Sequence, residues 1–145
     1  MIRVQQADFD VGQELERLAA GDHGVGGIAS FVGLVRGAPG SAMTLEHYPG
    51  MTERKLAEIE AEALARWPLS ASLVIHRYGR LLPGERIVLV ATASSHRQAA
   101  LESCAFLIDW LKTKAPFWKL EEGPEGGGRW VEARDSDEDA ARRWR

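Results

Sequence analysis

The chain has 145 residues and a mass of 16.0 kDa, room for one real hydrophobic core and too little for two ordinary domains. With 45% hydrophobic and 27% charged residues it has the balance of a folded globular domain, and its longest apolar run, 87–93, falls far short of the roughly 20 residues that a membrane span requires. A formal net charge of −3 speaks against a broad surface for nucleic acid, and the single cysteine, Cys104, excludes an internal disulfide.

Residues 2–5 alternate weakly, in the manner of an edge strand, and no apolar signal core follows the first positive charge; with the lone cysteine, this makes a reducing cytoplasm the expected location. Asp10 can cap a short helix over 11–19 in which Val11, Leu15 and Leu18 share a face, and the glycines between 21 and 27 end it. The run Gly27-Ile28-Ala29-Ser30-Phe31-Val32-Gly33-Leu34-Val35 is apolar and β-branched. It predicts a buried strand, with a bulge or a close backbone approach at Gly33. Arg36 closes that strand, 37–41 is a flexible loop by composition, and a strand resumes over 44–48. Pro49-Gly50 turns the chain. Thr52 is placed to cap a helix reaching Trp67, with Leu56, Ile59, Ala63 and Trp67 on one stripe and Pro68 as its stop.

Strands are predicted over 72–77 and 87–94 around the Pro83-Gly84 turn, with a short extra strand over 78–82. Ser95 and Gln98 have capping-box spacing for the longest helix, which runs to Lys114 and is terminated by Pro116; its core face is Ala100, Cys104, Leu107, Ile108 and Leu111. Beyond it, 117–120, a glycine-rich turn over 123–128 and Trp130-Val131 read as a late hairpin, and 136–145 as a short helix or a mobile tail. No internal repeat or linker interrupts the pattern, so the expectation is a single α+β domain over 1–145.

Three places can carry chemistry. At Ser94-Ser95-His96-Arg97 a strand gives way to a helix, and free backbone N–H groups with the positive end of the helix dipole suit an anion there; the alternative is a pair of solvated first-turn residues. Lys112 and Lys119 bracket the helix stop in Leu111-Lys112-Thr113-Lys114-Ala115-Pro116-Phe117-Trp118-Lys119. A lysine near another cation and against aromatic rings has its charged form disfavoured, which suits a base or a nucleophile, although lysines in a last helical turn also serve the dipole. Arg36 and Arg134 each follow a strand, where a planar guanidinium can hold phosphate or carboxylate or simply form a surface ion pair. There is no phosphate loop, CxxC pair, HExxH or GxSxG. His23, His47, His76 and His96 lack metal-ligand spacing, so no metal is expected, and Cys104 lies on a core stripe where a thiol is inert.

Five strings in register give the chain a resemblance to the large, catalytic subunits of molybdopterin synthases. They are Thr44-Leu45-Glu46-His47-Tyr48-Pro49-Gly50-Met51-Thr52, Val74-Ile75-His76-Arg77 with Gly79, Ser95-His96-Arg97, the lysine string through Lys119, and Arg129-Trp130-Val131-Glu132-Ala133-Arg134. The resemblance implies an α/β-hammerhead-type fold with an additional antiparallel β subdomain. It also implies a homodimer within a heterotetramer, each end carrying a small ubiquitin-like sulfur-carrier subunit. That partner's C-terminal Gly-Gly thiocarboxylate delivers sulfur to cyclic pyranopterin monophosphate in two rounds, with no cofactor and no metal. Carried over position by position, the functional basic set falls on Arg36, His96, Arg97, Lys112, Lys119 and Arg134, with Leu34, Val35, Leu120 and Glu121 as pocket neighbours.

In this reading His96, Arg97 and Arg36 anchor the substrate phosphate and pterin. Lys119 is the reactive base or transient covalent partner, Lys112 orients the substrate, and Arg134 is pocket wall or tail clamp. The competing class is a non-catalytic module that holds a nucleotide or a ubiquitin-like tail in the same basic pocket. An RNA-binding domain is a third, against which the acidic net charge already counts.

Overall fold

The computed structural model describes residues 1–131 and 135–144. Its first sheet contains β1 (Ile2–Gln5), β2 (Gly27–Leu34), β4 (Leu69–Arg77) and β6 (Arg86–Ser94), in the order β1-β4-β6-β2. The β1–β4 pair is parallel and the others are antiparallel. The second sheet is wholly antiparallel and orders β5 (Gly79–Leu81), β3 (Ala42–His47), β7 (Phe117–Gly123) and β8 (Gly126–Val131) as β5-β3-β7-β8. Two sheets with helices packed on them make the α+β class and the added antiparallel subdomain that the motifs imply.

Helices cover both faces of the first sheet: α1 (Val11–Leu18) on one, α2 (Met51–Arg66) and α3 (Arg97–Lys114) on the other. Side chains alternate across a strand, and the two central strands divide accordingly. Val74, Val88 and Val90 meet Leu56, Ile59, Ala63, Phe106 and Leu107, while Leu73, Ile75, Leu89 and Ala91 meet Phe9, Val11, Leu15 and Leu18. The near-continuous apolar run of β6 follows from this position, since a strand covered on both faces has no polar side to show. Each fully buried Leu, Val or Phe contributes about 1.5–3 kcal/mol relative to exposure.

α4 (Asp135–Arg142) realises the helical reading of the C-terminal segment and lies on α3. The chain beyond it returns to the core. Trp144 sets its ring edge-on to Trp67 and Phe106 and donates Nε1–H to Asp109 at 2.6 Å.

Three local expectations are corrected. Among the described residues the 27–35 strand is an edge strand, paired only with β6, and it leaves Ile28, Phe31 and Leu34 at the surface; an apolar run cannot by itself tell a central strand from an edge that awaits a partner. Gly50, with φ of 85°, caps α2 in place of Thr52, because Glu53 reaches back to the Gly50 N–H at 2.5 Å; the Thr52 hydroxyl instead donates to the Tyr48 carbonyl. His96 occupies the N-cap of α3 without a side-chain bond, so Ser95 and Gln98 form no capping box, and Gln98 pairs with Glu102. Among the described residues, no helix is long and apolar enough to cross a membrane.

Candidate active site

A cavity of about 760 Å³ opens between the two sheets. The end of β2 supplies Leu34, Val35 and Arg36, the last turn of α3 supplies Lys112, and β7 supplies Lys119 and Glu121. Each element has a local reason to end there. The register of β2 against β6 shifts between Gly33 and Leu34, and a Cβ at Gly33 would stand 2.6 Å from the Val88 side chain, so the bulge requires glycine. Val35 is then held through its N–H on the Glu85 carbonyl (2.9 Å) and its own carbonyl on the Gly84 N–H (2.7 Å), which aims the exposed Arg36 off the sheet at the pocket rim.

Pro116 ends α3 at an extended Ala115, and the chain re-enters as β7. Alternation then sorts the lysine string. Phe117, Lys119 and Glu121 share the inner face, with Phe117 stacked on His76, while Trp118 and Leu120 share the outer one. Trp118 packs on Tyr48 at 4.6 Å, and Leu120 occupies the space that the missing side chain of Gly128 leaves. A smaller groove lined by Gly123, Gly127, Gly128 and Arg129 shares Glu121 with the main cavity.

His96 and Arg97 stand apart from this pocket. Both are exposed at the first turn of α3, where the backbone is clamped: Gly26 N–H bonds the Ser94 carbonyl at 2.9 Å, and a Cβ on Gly26 would lie 2.0 Å from the Ser95 oxygen. Arg97 and Lys112 are at opposite ends of one straight helix, a separation of about 22 Å at 1.5 Å per residue. Within one chain, His96 and Arg97 are therefore not among the residues that line this cavity. Arg134 lies outside the described residues. The motif reading did not name Met43, Ser41, Ile87 or Pro124, which also line the cavity. Their composition is ordinary, and only the approach of the two sheets brings them together.

The remaining histidines and the cysteine are built in. His76 is buried and its titration is pushed down to about 3 by burial, with Lys112 and His47 adding positive charge nearby. Burial pushes the Cys104 thiol up to about 11, consistent with packing rather than nucleophilic duty.

Fold and site together define an α+β protein that presents, between two sheets, a ligand-sized pocket lined by Arg36, Lys112 and Lys119 together with Glu121 and Glu122. The family described as MoaE protein matches residues 4–114. A molybdopterin synthase catalytic subunit from Pseudomonas aeruginosa is 57% identical over 147 residues, covering 99% of this chain and 97% of that one. Among solved structures, the molybdopterin biosynthesis MoaE protein from Burkholderia ambifaria superposes with a TM-score of 0.87 at 52% identity, covering 99% and 97% of the two chains. A complex of subunits 1 and 2 of molybdopterin-converting factor from Helicobacter pylori shares the fold, with a TM-score of 0.73 at 20% identity over 92% of this chain and 90% of that one. The chain belongs to the MoaE protein family and is an enzyme of molybdenum cofactor biosynthesis, of the molybdopterin synthase catalytic-subunit kind. The non-catalytic alternative is thereby set aside.

Proposed function

We propose that the chain transfers sulfur to cyclic pyranopterin monophosphate from the C-terminal thiocarboxylate of a small ubiquitin-like subunit whose Gly-Gly tail enters the inter-sheet pocket. The observation that carries this reading is the convergence of Arg36, Lys112 and Lys119, from three elements, on one cavity. Cations there suit the substrate phosphate, the tail's anionic end and the negative charge that develops as sulfur changes partners. In each round a bond forms between the sulfur and a pterin side-chain carbon while a carbon–oxygen bond at that carbon breaks, its oxygen leaving with the phosphate or, protonated, as water. Water then cleaves the bond between that sulfur and the tail's carbonyl carbon, and the tail leaves as a carboxylate. Lys119 acts as base or transient covalent partner, Lys112 orients the substrate, and Arg134 is pocket wall or tail clamp. The groove next to Glu121, lined by Gly123, Gly127, Gly128 and Arg129, offers an extended Gly-Gly tail a narrow path. The Helicobacter pylori fold relative, solved as a two-subunit complex, supports a small partner.

The distant His96 and Arg97 enter through the homodimer. β2 is a free edge about 23 Å long that runs from beside Arg97 at Gly27 to the pocket at Leu34, with Ile28, Phe31 and Leu34 exposed along it. Two copies pairing antiparallel across a two-fold axis along this edge set one chain's His96 and Arg97 beside the other chain's Arg36. The substrate site then takes its anion-binding junction from the second copy.

The test combines the purified chain, a thiocarboxylated small subunit and the cyclic pterin. Lys119→Ala and Lys112→Ala should each lower the rate of dithiolene formation by at least about 100-fold; persistent turnover in either would remove that residue's role. Mixing Lys119→Ala with Arg97→Ala chains tests the dimer. A shared site returns about a quarter of the parent activity through mixed dimers, whereas a site contained in one chain returns none.

A further inference from the structure

Among the described residues no strand of one sheet pairs with a strand of the other, yet the pocket takes Arg36 from the first sheet's edge and Lys119 from the second. The spacing between them depends on what is packed across the gap. The packing there is a run of rings. His76, on β4 of the first sheet and 4% exposed, stacks on Phe117, the first residue of β7, with centroids 3.8 Å apart and planes 19° from parallel. Phe117 continues to His47 on β3 at 5.9 Å, and His47 to Tyr78 at 4.6 Å.

Hydrogen bonds hold the two imidazoles in plane. The Arg77 carbonyl can only accept, so His76 Nδ1 carries the proton it donates at 2.8 Å, and the ring cannot flip without breaking that bond. The Thr52 hydroxyl spends its proton on the Tyr48 carbonyl, which leaves His47 Nδ1 as donor to Thr52 Oγ1 at 2.9 Å. Phe117 is thus gripped between two oriented rings, and Lys119 and Glu121 follow it two and four residues along the same face of β7.

We propose that His76 is a positioning residue for sulfur transfer: its imidazole, stacked on Phe117, sets β7 and its Lys119 against Arg36 on the other sheet. His76 touches no substrate. It acts through the placement of the reactive strand, and the inference rests on the reading of Lys119 as the reacting group.

The test uses the complex with thiocarboxylated small subunit. His76→Leu removes the ring and should lower kcat about 100-fold, as a displacement on the order of 1 Å does, while KM for the pterin stays within about threefold. The number of pterin molecules bound per chain should not change. His76→Phe keeps a flat ring on Phe117 and should recover kcat to within about threefold of the parent. Should His76→Leu fail to accumulate as folded protein, Phe117→Leu removes the other ring and carries the same expectations. The proposal is overturned by a ring-less variant with parental kcat, by His76→Phe being as slow as His76→Leu, or by a loss that appears as fewer binding sites per chain. Lys119→Ala measured alongside separates the two ideas: full activity in it refutes the role of Lys119 whatever His76→Leu does.

Discussion

Acidification from about pH 7.5 to about pH 5 gives His76 a reason to leave the core. In the folded chain burial drives its titration down from 6.5 to about 3, against the opposing pull of its bond to the Arg77 carbonyl, and Lys112 on α3 and His47 on β3 add to the depression. The neutral ring is the folded form, so as pH falls the unfolded chain takes up the proton first. Stability is complete above 6.5, erodes between 6.5 and about 3, and levels off below. Each pH unit in that window costs about 1.4 kcal/mol, so His76 alone removes about 2 kcal/mol by pH 5, a large share of the 5–15 kcal/mol that holds a typical domain folded. Asp8, held low chiefly by its hydrogen bond to Arg86, and Glu14, held low chiefly by Arg3, contribute stability that is complete above the ordinary carboxylate range and is lost as the pH falls through and below that range, so neither accounts for the loss between about pH 7.5 and about pH 5. Urea unfolding of the parent and His76→Phe across this range makes the comparison. The parent should lose about 2 kcal/mol and the variant less than about 0.5. Parallel curves would refute the assignment of the acid sensitivity to this ring.

Alanine at Gly26 places a Cβ within 2.0 Å of the Ser95 carbonyl, so Gly26→Ala should cost about 1–3 kcal/mol in urea unfolding and weaken pterin binding by displacing His96 and Arg97; an unchanged midpoint with parental binding argues against the clamp. Cys104, 6% exposed and with its thiol pushed up to about 11, should react with a maleimide near pH 7.5 only as fast as the chain unfolds. Labelling that outruns unfolding would place the thiol at an accessible site. Phe106, fully buried among Trp67, Trp110 and Trp144 with Arg66 over its face, should cost about 3–5 kcal/mol on truncation to alanine, read from the same denaturation curves.

The elements that could be read without coordinates were those whose signal is local. The stripe Leu56, Ile59, Ala63 and the α3 face Ala100, Cys104, Leu107, Leu111 are buried as their 3.6-residue spacing requires. Asp10 caps α1 by accepting from the Gln13 N–H at 3.0 Å, and the bulge falls at Gly33. The misplaced caps of α2 and α3 lie within two residues of the true ones. There several residues compete, and the winner depends on a backbone angle such as the positive φ of Gly50. The exposure of β2 was invisible for a different reason: burial of a strand is a property of its neighbours.

Residue types and spacing by themselves determined most of the helices and strands and, through the five motifs, the family. They also placed the one thiol, Cys104, on a helix's core stripe, where the structure buries it. Only the tertiary structure decided which members of the basic set meet. Arg36, Lys112 and Lys119 are joined by the approach of two sheets, whereas His96 and Arg97 are held about 22 Å away by the rigid rise of α3. Alternation along β7, counted from a Phe117 fixed by His76, turns Lys119 and Glu121 inward and Trp118 and Leu120 outward. Spacing along a chain sets which face a residue occupies, and long-range packing sets what that face meets.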